Sequence, residues 1–153
     1  MTTAEVLQQL LTAFVGSLGF AVLCHIRDLK LLVAGLGGLL SWGTYLLVRG
    51  PAESLLVANL AAAAVGSIYA EIMARVLRAP ATVFVAPAVI TLVPGGALYY
   101  AMCGAIAGDT AEASAHGYEA WNVAVGVAIG IAAVTSIFNV LALLRRRHML
   151  RER

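Results

Sequence analysis

Apolar residues along this chain come in long runs separated by short charged clusters. Inside the runs they neither alternate with polar residues at period two nor leave a polar face at helical period. The first absence argues against the strands of a membrane barrel and the second against a soluble helical bundle. About 20 consecutive apolar residues cross a bilayer, and the clusters divide the chain into five stretches of that order. The pattern predicts spans over residues 4–24, 31–48, 54–77, 81–107 and 118–144. The first ends at "HIRDLK", and the second at "RGP", Arg49 to Pro51. The third closes with Arg75, Arg78 and Pro80, and the fifth runs into "RRRHMLRER". The fold expected is an all-α integral membrane protein, one transmembrane domain over residues 1–153 with a basic tail at 145–153.

Composition sharpens this reading. The chain is 61% apolar and 12% charged, with a mean hydropathy of +0.92, whereas a soluble domain is nearer half apolar and a quarter charged. Charge then suggests orientation, since Lys and Arg favour the cytoplasmic side. Five spans put Arg27, Lys30, Arg75, Arg78 and the five C-terminal arginines on one side, nine of the ten basic residues, and Arg49 on the other. The N-terminus is expected outside and the C-terminus in the cytoplasm. "MTTAEVLQQLLTAF" lacks the basic start of a secretory signal, so the first span is expected to be retained. The acidic stretch "GDTAEASAHGYEA" reads as a solvated outer loop, with Tyr118 and Trp121 as interfacial anchors.

Little in the chain suggests catalysis. Cys24 and Cys103 lie in apolar runs without metal-ligand spacing and read as small packing residues. His25 and His116 fall in expected loops and His148 in the tail. No nucleophile–base arrangement and no phosphate-binding glycine loop is visible, so neither enzyme activity nor a cofactor is expected. The arginine tail reads as a topology anchor that can also meet anionic lipid head groups; nucleic acid is not an expected partner. "GVAIG", Gly126 to Gly130, and the pair Gly37 and Ser41 place small residues four apart, the pattern of close helix packing in lipid. Glu71 is the one acid well inside a run. It is either the partner of Arg75 four residues on or a coupling or substrate group. Uncharged polar residues in the spans, among them Thr44, Asn59, Thr91, Asn122 and Asn139, read as interhelical hydrogen-bonding groups that together can line a polar path.

The fourth span carries the sharpest signal. "TLVPGGALYY", residues 91–100, sets Pro94, Gly95 and Gly96 in a stretch with no charged side chain from Ala79 to Gly108. Pro94 cannot donate to Ile90, nor Pro87 to Val83, and the two glycines permit non-helical dihedrals. Two half-helices of about 18 Å each are expected, neither long enough for a hydrocarbon core of about 30 Å. The freed backbone groups must then be buried in protein or line a wet cavity. The first half would present carbonyls near Val93 and the second N–H groups near Gly96, which suits a carboxylate or a zwitterion. A proline kink serving only packing is the alternative.

The run "APAVITLVPGGALYYAM" resembles the signature of the threonine/serine exporter family, through Pro94, Gly95, Tyr99 and Met102, with Arg75 closing the preceding span. The length and span order are similar to the small five-span subunit of that family. The resemblance implies export of small carboxylated metabolites, threonine or serine foremost and succinate in some two-subunit members. It also implies a larger five-span partner of inverted topology. The substrate contacts expected are Pro94, Gly95 and Gly96, with Thr91, Tyr99 and Tyr100 beside them. A scaffold subunit that only stabilises its partner, and a homo-oligomer, are the other readings.

Overall fold

The computed structural model describes residues 2–50 and 54–151, the last seven by backbone alone. It is all helical: α1 (Thr3–Leu23), α2 (Leu29–Arg49), α3 (Leu55–Val76), α4 (Thr82–Val89), a 3₁₀ turn (Ile90–Leu92), α5 (Gly95–Ala107) and α6 (Thr110–Arg151). Among the described residues, four helices are long and apolar enough to cross a membrane. The bent pair Thr82–Leu92 and Gly95–Ala107 makes a fifth span if taken as one. Pro51 lies outside the described residues, as do the side chains of the arginine tail.

Local chemistry explains most boundaries. Thr2 caps α1 in a reciprocal box, its hydroxyl accepting from the Glu5 N–H and its own N–H donating to Glu5 Oε2. Gly108 ends α5 in the left-handed conformation (φ 77°), where a residue without a Cβ fits best. Asp109 then starts α6 at once, its Oδ1 accepting from the N–H groups of Ala111 (3.1 Å) and Glu112 (3.0 Å). This corrects the expectation for the acidic stretch, which is helix and not loop. The spacing Asp109, Glu112 is a helix start, and the alanines that follow favour its continuation. His116, expected in a loop, lies within α6.

α3 packs against α2, α4 and α6, while α1 lies on α2 and α5 on α6. The contacts are made by small residues. Gly126 and Gly130 form the seam with α3. A Cβ there would sit 2.6 Å from the Leu56 carbonyl oxygen and 2.7 Å from that of Leu60, so any side chain would drive the helices apart. Gly38 makes room for the Ser17 side chain, and Gly66 for that of Ser41. Ser17 uses that room to donate to the Pro87 carbonyl (2.7 Å, buried), tying α1 to α4 just before the chain breaks.

The two ends of the bundle differ. At the end bearing the α1–α2 and α3–α4 turns, Ala21, Ile26, Ala34, Ala70, Ala74 and Phe84 form a closed core. Toward the other end, where α1 starts and α2 finishes, the packing opens into cavities.

Candidate functional site at the helix break

The break arises from two residues. Val93 is extended (φ −62°, ψ 128°) and Pro94 leaves helical geometry (φ −79°, ψ 53°), so the helices on either side diverge by 52°. The first half ends at Leu92 and the second begins at Gly95, each within a residue of expectation. The glycines act differently from the expectation: neither has a positive φ, and a Cβ at either would meet nothing within 4 Å. They are ordinary first-turn residues of α5, and what they supply is open space, not unusual dihedrals. Gly95 N–H donates back to Val93 O (2.8 Å) and Leu98 N–H to Pro94 O (3.0 Å). The N–H groups of Gly96 and Ala97 fall between these and lack an intrahelical acceptor.

Beside this helix start lies a cavity of about 170 Å³, bordered by Thr91 to Pro94, Ala97, Trp42, Tyr45, Asn59 and Glu119. Thr91 Oγ1 is buried without a hydrogen-bond partner among the described residues. Such a group is costly unless a ligand or water meets it. Asn59, only 2% exposed, donates from Nδ2 to Leu55 O (2.8 Å) and keeps an acceptor oxygen. Trp42 stacks on Tyr45 (centroids 4.9 Å) and donates to Gln9 Oε1 (3.2 Å), forming a rigid wall. Two further cavities adjoin. One of about 220 Å³, between α1 and α2, shares Thr91 and Trp42. The other, of about 370 Å³, shares Leu55 and Glu119 and reaches Arg49, Tyr118 and Asn122. The break cavity thus shares walls with a chamber on the α1 side and with one that extends to Arg49.

Of the residues singled out from sequence, Thr91 and Pro94 border the cavity, and Gly96 lies at the helix start between Pro94 and Ala97. Tyr99 and Tyr100 do not border it. They are 64% and 53% exposed, packed edge to face (5.4 Å), with Tyr100 against the His116 ring (5.4 Å). Glu71 and Arg75 sit toward the closed end. Arg75 Nη1 donates to Glu71 Oε2 (2.9 Å) and to the Glu71 carbonyl (2.7 Å), and its guanidinium lies over Phe138 (4.5 Å). Trp42 and Glu119 are among the wall residues that escaped sequence reasoning as site residues, and Asn59 was read only as part of a polar path. For Glu119 a signal existed. It stands in step with Val123, Gly126, Gly130 and Val134 at helical spacing, which puts it on the α6 face that packs on α3.

The described residues contain no cluster of His, Cys, Asp and Glu fit to hold a metal. A cavity bearing a helix N-terminus, a hydroxyl, an amide and a carboxylate can bind a small polar metabolite.

No curated protein and no solved structure matches the chain. Residues 9–137, well over half of the chain, match the family model described as Threonine/Serine exporter, ThrE, a match that takes in every cavity residue named above. Its helical multi-span fold and its family signature agree: the chain belongs to the threonine/serine exporter family.

Proposed function

We propose that the chain is the small subunit of a secondary exporter of threonine and serine, with the substrate seated in the cavity at the helix break. The observation that carries this reading is the convergence of unpaired polar groups there. The N–H groups of Gly96 and Ala97, at the positive end of a 13-residue helix, suit a carboxylate. Thr91 Oγ1, unpartnered and buried, and the Asn59 oxygen suit a substrate hydroxyl. A site built to bond a hydroxyl rejects the analogue that lacks it.

The rest of the proposal follows from charge and surface. Basic residues cluster at the closed end and in the tail, so that end is assigned to the cytoplasm of a bacterial inner membrane and the cavities to the outside. The bundle is then in an outward-open state. α5 packs chiefly against α6, with Leu98, Tyr99, Tyr100, Met102 and Ile106 exposed. Broken backbone is tolerated at membrane depth only inside protein or beside a wet cavity, which supports a larger five-span partner completing the enclosure. Tyr99, expected as a substrate contact, would act from that shared boundary.

The test is selectivity. Cells expressing the chain with its partner are expected to export threonine faster than valine, its near-isostere without the hydroxyl. Thr91→Val is expected to erase most of that preference, by about tenfold for one lost hydrogen bond to a buried group. Unchanged preference in the variant would refute the placement of the substrate.

A further inference from the structure

We propose that the Glu119 carboxylate is the counter-charge for the ligand's ammonium group, so that this site selects a zwitterionic amino acid over a dicarboxylate. The inference rests on the reading of the break cavity as the substrate site and adds the residue that sets its charge preference.

Among the described residues, Glu119 is the one bordering that cavity with a formal charge at neutral pH, and no Lys, Arg or His borders it. The start of α5 also borders it, at Pro94 and Ala97, and its free N–H groups carry partial positive charge. One small chamber therefore presents a positive helix end and a negative side chain. A molecule with a carboxylate and an ammonium group matches both. A dicarboxylate would set its second carboxylate toward Glu119 in a cavity whose described lining holds no basic side chain to offset the repulsion.

Glu119 also has acceptor capacity left. Its Oε2 lies 3.6 Å from His116 Nδ1, beyond hydrogen-bonding distance, and a carboxylate has about four acceptor positions. The side chain is 51% exposed and borders both the break cavity and the outer cavity that Arg49 and Asn122 line. That position lets one carboxylate hold an ammonium group as the ligand passes from one chamber to the other. His116 and Arg49 are the cations that face it from the outer side.

The experiment is calorimetric titration of the full-length chain, purified in detergent with any subunit that accompanies it. Three probes are used: L-threonine, 3-hydroxybutyrate (threonine without its amino group) and succinate. The wild-type protein is expected to bind threonine about tenfold or more tightly than 3-hydroxybutyrate. Glu119→Gln is expected to close that gap and to relieve the discrimination against succinate. Glu119→Asp, which keeps the charge, is expected to preserve the order of affinities. Wild-type discrimination that survives in Glu119→Gln, or is lost equally in Glu119→Asp, overturns the role of Glu119 and leaves the site standing. Failure of the wild-type protein to bind threonine overturns the site itself, and this inference with it.

Discussion

At the residue scale, Val93 and Pro94 make the break, and the glycines after them keep its mouth clear. Gly95 and Gly96 are in ordinary helical geometry with nothing within 4 Å of a would-be Cβ. Alanine at either is therefore expected to fold normally and to stabilise α5 slightly, by up to about 1 kcal/mol. Thermal unfolding in detergent checks this, and a marked loss of stability would show that the glycines are needed for conformation. Leucine at both positions is a different case. Its longer side chains would occupy the space beside the break, and efflux is expected to stop while membrane insertion survives. The break was legible in the sequence because proline chemistry is local. The outward placement of Tyr99 and Tyr100 was not, because it depends on the 52° bend and on the helix phase that follows it.

At the scale of elements, the α3–α6 seam and the Glu71–Arg75 pair were both legible, each resting on a spacing of four along one helix. The seam is the stricter of the two. Leucine at Gly126 or Gly130 would press on backbone carbonyls less than 3 Å away, where no rotamer change relieves the clash. Either variant is expected to lose the monodisperse species in size-exclusion chromatography, whereas Gly16, with open space around it, should accept alanine without effect. The ion pair is milder, since the Arg75 side chain is 49% exposed. Arg75→Ala leaves the nearly buried Glu71 without its partner and is expected to lower stability by about 1 kcal/mol. The double variant Glu71→Gln, Arg75→Leu should recover most of that loss in thermal unfolding. The first turns of α6 were misjudged as loop for a physical reason. Acidic and small residues signal solvent in either state, and only the Asp109 cap decides for helix. Glu119 was overlooked with them.

At the scale of the molecule, small residues close one end of the bundle and a broken helix opens the other. Ala21, Ala34, Ala70 and Phe84 pack into a buried core at the closed end, while the break cavity shares Thr91 and Trp42 with one neighbouring cavity and Glu119 with the other. Alternating access would need that closed end to part, and the Ser17–Pro87 hydrogen bond lies at the boundary between closed and open halves. The sequence revealed the apolar helical segments and the asymmetry of charge, because both are properties of composition along the chain. It could not reveal which polar residues share a cavity, because Asn59, Thr91 and Glu119 come from three helices and meet only on packing.

The central claim is that the substrate occupies the cavity at the break, and substrate protection tests it most directly. Thr91→Cys, in a background whose native Cys103 is replaced, would be labelled in membranes by a small thiol reagent with and without L-threonine. Cys24, exposed near the closed end, serves as the internal control. The account predicts that threonine slows labelling at position 91 and leaves Cys24 unchanged. Equal labelling rates at position 91 with and without threonine, in protein that still exports it, would contradict the account.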